Sequence, residues 1–440
     1  MYKPCLRLCL ALCLFISFSC QKNNNKSELP HVFKDKSIVN GYLDKQSYFP
    51  GDTALLYVST DYEYKDSAIN VYDANGALSF KIPYTRLTPQ DPQGEKPYED
   101  GFHYSNPVTI KVPEVKSGVY LIAKQIPIII KTREESVDLT IVYPFNTENA
   151  YCQTGRRSLY TTPVASKVSF LRPIPYTILA AGFFKWIVQQ HYSYNVISDI
   201  DLEDYRSIKG KVLMIVGHSE YWSRTGRRNF DRFVNEGKHA IVLSGNTMWW
   251  QVRYNDDKNQ LICYKGVDEP PLPDTMKTIL WIFKALRYPI TASIGCDFDR
   301  GGYGIYGAGK NESWGGFKVA TPQSPLLAGL NLKKGDIIEC PSNEYDGAPL
   351  SGFESDGTPI IDNKELRFNK IELIGYDKAF RTVKTVATAM VFRRTATSGI
   401  IVECPSTDWC TERLFSTNAI SRITRNAIDG LLADKNMFSH

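Results

Sequence analysis

Val212-Leu213-Met214-Ile215-Val216-Gly217-His218-Ser219-Glu220-Tyr221-Trp222 is the stretch on which the fold turns. A short unbroken apolar run followed by glycine suits a strand buried on both faces. Glycine lets the chain turn tightly out of such a strand. The neighbouring segments repeat the theme. Leu139-Thr140-Ile141-Val142-Tyr143 is a near-continuous apolar strand ending at Pro144. A helix is predicted over 181–190, with Phe183, Phe184, Trp186 and Ile187 on one side, then a strand over 194–197. A second helix is predicted over 227–236, closed by Gly237, then a strand over 240–243 that ends at Ser244-Gly245-Asn246. Strands alternating with helices imply an α/β domain with a mostly parallel sheet, beginning at about residue 137 and running to 440. Sites in such sheets lie in the loops after the carboxyl ends of the strands. Here those loops carry Gly217-His218-Ser219-Glu220 and Gly245-Asn246.

Upstream, residues 36–136 read differently. Strand alternation is visible at 53–58, 68–72 and 108–112, and Asn75-Gly76 between two apolar runs is a hairpin signal. Short strands at this spacing predict an immunoglobulin-like β-sandwich. Downstream, strands are predicted at 371–374, 387–392 and 400–402, a long irregular loop at 301–314, and a helix over 419–432.

The N-terminus carries Lys3 and Arg7, an apolar run over 8–18, and then Ser19-Cys20. This is an export signal, too short to span a membrane. The cysteine after a small residue resembles the bacterial lipobox, so residues 1–19 are expected to be a lipoprotein signal, Cys20 the lipidated (palmitate-bearing) residue and 20–35 a polar tether. An ordinary signal peptide cleaved nearby is the other reading. The expected place is the outer membrane or a periplasm-facing membrane. The formal charge of +5 would fall to about +3 once Lys3 and Arg7 leave, too small to imply nucleic acid. Six cysteines remain in the mature chain: Cys152, Cys263, Cys296, Cys340, Cys404 and Cys410. None forms a CxxC pair, and the six serve either as disulfides or as buried thiols.

Three constellations bear on chemistry. His218 and Glu220 stand two residues apart at the edge of the sheet, where an imidazole and a carboxylate can share a metal or divide acid–base work. The alternative is a histidine that only hydrogen-bonds in its loop. With six histidines in the chain, a three-histidine zinc site is disfavoured. Asn146-Thr147-Glu148-Asn149-Ala150-Tyr151, followed by Gly155-Arg156-Arg157-Ser158-Leu159-Tyr160, reads as a polar loop suited to ligand contact, or as a well-bonded surface loop. A deprotonated tyrosine can hold a hard ferric ion. Asn246, Trp249-Trp250 and Arg253 form the third group, with the tryptophans walling a pocket or packing a core. Asp346-Gly347, Asp377 and Asp408-Trp409 are loop acids without a placement. The standard nucleotide loops, HExxH and GxSxG are absent.

Taken in order, these motifs resemble the C-terminal domain family of the N,N-dimethylformamidase large (beta) subunit. The matching residues are Asn146-Thr147 with Ala150-Tyr151, Arg156 to Tyr160, Arg172-Pro173, Asp201-Leu202, Gly217 to Trp222, Gly245-Asn246 with Trp250 and Arg253, and, loosely, Thr407-Asp408-Trp409. The resemblance implies a glutamine-amidotransferase-like (flavodoxin-like) α/β fold and an amidohydrolase with a mononuclear iron held by two tyrosines and a glutamate. Carried over, Glu220 and Tyr151 would be ligands and His218 the nearby histidine. The second tyrosine would be Tyr176, displaced by Ile174-Pro175 from the Arg-Pro pair, with Tyr160 as the fallback. His218 would move protons, and Asn246 or Arg156 would steady the oxyanion. The expected function is a metal-dependent hydrolase of an amide or related C–N bond outside the cytoplasm. The alternative is a non-catalytic surface lipoprotein that binds a glycan or peptide.

Overall fold

The computed structural model describes residues 31–307 and 312–439. The export signal, Cys20 and most of the tether lie outside the described residues. Phe33 to His440 form one compact unit.

The sheet at its centre is built from nine strands in sequence: β1 (Leu139–Tyr143), β2 (Tyr194–Ser198), β3 (Val212–Gly217), β4 (His239–Ser244), β5 (Asp297–Tyr303), β6 (Glu344–Gly347), β7 (Lys370–Phe380), β8 (Lys384–Arg393) and β9 (Ile400–Glu403). Their spatial order is β2-β1-β3-β4-β9-β8-β7-β5-β6, with Gly316–Val319 and Ile337–Glu339 paired off the path. The first five are mutually parallel, and β9 then turns the sheet antiparallel towards β8. The sheet is therefore mixed, and the fold is α/β. Chain direction across the sheet reverses between β1 and β3, which opens a crevice beyond their carboxyl ends.

The strands are apolar on both sides because both sides are covered. Ile141, Met214 and Ile241 point into one core with Phe183, Phe184 and Ile187 of α2 (Ala181–Ile187) and Ile423, Ile428 and Leu431 of α4 (Asn418–Leu432). Val142, Leu213, Ile215 and Val242 point the other way, onto Phe230, Phe233 and Val234 of α3 (Arg224–Asn235). The alternation is the period of two of an extended chain. α3 starts three residues before the predicted 227 because Ser223 caps it, its side chain accepting from Gly226 N. No helix among the described residues is long and apolar enough to cross a membrane.

Two sequence expectations are corrected. The segment after β1 is not a loop: Phe145–Tyr151 is a helix, α1, because Asn146 Nδ2, Thr147 Oγ1 and the Asn149 amide are buried and hydrogen-bonded inside the fold, not in solvent. The stretch 301–314 is not irregular from its start, since Gly301 to Tyr303 complete β5. All six cysteines are free and buried, so the buried-thiol reading holds.

The N-terminal residues form a three-stranded sheet (Ile38–Leu43, Thr53–Thr60, Val108–Lys111) and a five-stranded sheet that includes Tyr64–Tyr72, Leu78–Leu87 and Ile126–Ile130. The two share one core containing Leu56, Val58, Ile69, Val71, Ile82 and Ile128. Gly76, at φ +81°, closes the hairpin between Tyr72 and Leu78. These sheets are fastened to the larger sheet by polar groups at Asp201, which accepts from Ser47 Oγ (2.7 Å) and pairs with Lys131 Nζ (2.8 Å).

Candidate active site

Glu220 lies at the crevice, and its position is dictated by what binds its backbone. Gly217, at φ +77°, turns the chain out of β3, and a Cβ there would meet Ala180 Cβ at 3.0 Å, so glycine is required twice over. The chain then runs back against α1. Thr147 Oγ1 accepts from Glu220 N (2.9 Å), and Asn146 Nδ2 donates to Tyr221 O (3.0 Å) and Tyr254 Oη (2.8 Å). Trp250 N donates to Glu220 O (3.0 Å). The Asn-Thr pair is thus a clamp on the glutamate, not a ligand pair.

The carboxylate faces two phenols. Tyr151 Oη donates to Glu220 Oε2 and Tyr160 Oη to Glu220 Oε1, both at 2.8 Å. Their rings stack 4.0 Å apart, and Tyr221 Oη donates to Tyr160 Oη (2.7 Å). Tyr151 is 39% and Tyr160 42% exposed, so the rings border solvent while their hydroxyls point inward to the buried acid. Lys265 Nζ sits 3.7 Å from the Tyr160 ring centre. His218 Nε2 lies 3.5 Å from Glu220 Oε2 and 3.4 Å from Glu344 Oε2. Asn246, at φ +52°, donates from Nδ2 to Glu344 Oε2 (3.2 Å).

Burial sets the proton distribution. It pushes Glu220 up to about 7, against the pull of both tyrosine hydroxyls and Lys265. It pushes Glu344 up to about 8, helped by Glu220, and holds His218 down at about 4. It raises Tyr151 and Tyr160 far above the phenol range, with Glu220 adding to the effect. Near neutral pH Glu344 and both phenols therefore keep their protons, Glu220 is poised between its two forms, and the imidazole is neutral.

The residues singled out from the sequence divide as follows. Tyr151, His218, Glu220 and Asn246 come together. Tyr160 takes the second place beside Glu220, and Tyr176 does not: it stacks on Tyr143 (6.1 Å, 19°) further along the same cleft. Arg156 is exposed in a left-handed turn, and among the described residues its guanidinium makes no bond to Glu220, Glu344 or His218. Arg253 pairs with Glu269 (2.9 Å). Trp249 is core, packed on Phe298, while Trp250 is half-buried beneath Lys265. Asp377 accepts from Trp314 N, and Asp408 accepts from Asn343 N, holding the segment that carries Glu344.

Glu344 and Arg172 had no stated role in the sequence. Glu344 lies on β6, far along the chain from Glu220. The signal for Arg172 was present in the Arg-Pro pair but could not be interpreted. Its buried guanidinium donates to Asn149 O (2.8 Å) and Oδ1, Thr154 O (2.6 Å), Arg157 O (3.0 Å) and Ser169 O. It thereby ties α1 to the turn that brings Tyr160 to Glu220. Replacing Arg172 with methionine leaves these carbonyls unmatched, and a loss of about 3–5 kcal/mol in urea unfolding is expected.

A second ligand-type group lies behind the cleft. Cys296, Asp346 and Glu403 bring their ligand atoms within 4.8 Å of one another, a cluster able to coordinate a metal ion. No more than 1% of any of the three is exposed, and burial raises all three above their usual range. The cluster is enclosed in the core, whereas Tyr151, His218 and Glu344, which surround the equally buried Glu220, border an open cleft. That cleft holds a cavity of about 790 Å³ bordered by Tyr151, His218 and Glu344.

The chain matches the family described as N,N-dimethylformamidase beta subunit-like, C-terminal, over residues 74–413. No curated protein matches it. Among the solved structures, a thua-like protein from Bacteroides uniformis aligns at 10% identity, covering 68% of this chain and 92% of that one, with a TM-score of 0.33.

Proposed function

The chain belongs to the N,N-dimethylformamidase beta subunit-like C-terminal family, and from that premise we propose that its cleft hydrolyses an amide or related C–N bond with a metal ion held by Tyr151, Tyr160 and Glu220. The observation that carries this reading is the pair of phenols on the two oxygens of one buried carboxyl, at the mouth of a crevice. Three acidic groups crowd together with Lys265 as their neighbouring cation, and burial raises all three above their ordinary range, so ionising them together is costly. An all-oxygen, potentially anionic donor set suits a hard ion such as ferric iron. The parallel run β2-β1-β3-β4-β9, in which β9 fills the fifth place, supports the flavodoxin-like assignment.

A hard ion held by Tyr151, Tyr160 and Glu220 would supply Lewis acidity toward an amide carbonyl. The protein supplies the proton traffic. Neutral His218, between Glu220 and Glu344, takes a proton from the attacking water. Glu344, kept protonated by burial, is the reservoir for the departing nitrogen. Asn246 orients Glu344 through its amide. His218→Ala is expected to lower kcat by about 10²–10⁴-fold while metal content stays within error.

Metal uptake gives a direct test. Binding must displace protons from Glu220 and both phenols. Apparent affinity should therefore rise with pH, by up to about a thousandfold per unit below pH 7 and about a hundredfold above it, where Glu220 is already ionised. Anaerobic iron titration followed by air oxidation, monitored by the visible tyrosinate-to-iron band, measures this. A flat pH profile with no band sinks the assignment, and the binding-protein reading would take its place. The Ser19-Cys20 pair supports placing this activity outside the cytoplasm on a lipid anchor.

A further inference from the structure

The cleft is far larger than a small formamide needs. A cavity of about 790 Å³ is in the range that encloses ligands of drug size. Its walls are of two kinds. Tyr176, Tyr303 and Tyr306 present rings, Tyr306 and Ile178 being 47% and 77% exposed at the rim. Gln153, Asn343 and Thr407 present neutral hydrogen-bonding groups. Among the described residues, none that lines it is lysine or arginine. The nearest cations are already engaged: Lys265 over Tyr160, Arg413 on Tyr306 Oη (2.5 Å), and Arg381 behind Tyr303 and 3.9 Å from Asp299.

Beyond Tyr151 the cavity reaches Glu148, on α1 directly after the clamp residues. Tyr143 Oη donates to Glu148 Oε2 (2.7 Å), while Glu148 Oε1 is buried without a partner. Tyr176 stacks on the same Tyr143. A buried carboxyl with one free oxygen beside an aromatic ring, in a wall whose described residues include no cation, matches a ligand with a flat apolar face and hydroxyls on its edge.

Resting on the hydrolase reading above, we propose that the substrate is a neutral N-acylated amino sugar. The acylated nitrogen lies at Glu220 and His218, and the sugar ring lies against Tyr176 with a hydroxyl on Glu148 Oε1. Hydrolysis consumes one water: the carbonyl carbon–nitrogen bond breaks, the acyl group leaves as a carboxylate and the nitrogen as the free amine of the sugar.

Calorimetric titration of the full chain separates the ligand class from the chemistry. The probes are methyl N-acetyl-β-D-glucosaminide, its 6-phosphate and N-acetyl-L-phenylalaninamide. The neutral sugar should bind at least tenfold more tightly than either of the others. Glu148→Gln and Tyr176→Ala should each weaken sugar binding about five- to tenfold, with the far-ultraviolet spectrum and thermal midpoint checking that the variants fold. The proposal is overturned if the sugar gives no heat, if the phosphate binds equally, or if the phenylalanine amide binds more tightly. Sugar binding that releases no acetate from iron-loaded protein keeps the ligand class and defeats the hydrolase reading instead.

Discussion

Glu220→Ala is expected to abolish stoichiometric metal binding and to lower amide hydrolysis by at least about a thousandfold, because no other group can take its place between the two phenols. Tyr151 and Tyr160 each place a hydroxyl 2.8 Å from a different oxygen of this one carboxyl, so removing it takes the shared centre from the site. Metal content by mass spectrometry and amine release are the two readouts. A variant that keeps a full equivalent of metal would move the site elsewhere, with the Cys296, Asp346 and Glu403 cluster as the first place to look. The conservative Glu220→Gln adds a pH signature in the metal-free protein. Burial raises the folded-state Glu220 from 4.5 to about 7, so between those values the folded chain holds a proton that the unfolded chain has released. Stability therefore falls as pH rises from about 4.5 to 7, by a few kcal/mol at most. Glutamine carries no such proton, and thermal midpoints of Glu220→Gln should decline less over that window. Glu344 contributes the same sign and leaves a residual slope.

Tyr160→Phe and Tyr176→Phe should part company by the second largest margin. Tyr160 donates to Glu220 Oε1, accepts from Tyr221 and lies under Lys265, so a phenolate formed there has a cation 3.7 Å from its ring centre. On the proposed ligand set, loss of its hydroxyl removes one of three donors, and metal affinity should drop by about 100-fold or more, with a weaker and shifted tyrosinate band. Tyr176 instead stacks on Tyr143 in the cleft wall. Tyr176→Phe should keep its metal and its band, and any change should appear in KM. The opposite pattern would show that the chain rearranges around the ion and that the displaced tyrosine after Arg172-Pro173 is the ligand after all.

The difference between these two tyrosines shows where sequence reading reaches its limit. The family resemblance pointed to Tyr176, just past the Arg-Pro pair, with Tyr160 as the fallback, but position along an irregular segment does not fix the direction of a side chain. The turn that delivers Tyr160 is held by Arg172, through bonds to carbonyls at Asn149, Thr154, Arg157 and Ser169 that are invisible until the chain is folded. The same holds for Asn146 and Thr147. Their residue types mark a functional segment, yet their work is to clamp the backbone at Glu220 and Tyr221. Polar residues suggested a loop, and burial made them a helix.

What the sequence determined by itself is local and periodic. Unbroken apolar runs at 139–143, 212–216 and 240–243 can be buried only in a covered parallel sheet. Gly217 must end one of them, and His218 and Glu220 must follow at its carboxyl edge. What only the tertiary structure decided is every contact between distant segments: Glu344 against His218, Tyr160 against Glu220, and Cys296 beside Asp346 and Glu403. The physical reason is that strand and helix signals arise from the period of a single segment, whereas a site is set by the packing of strands whose order in space is not their order in the chain.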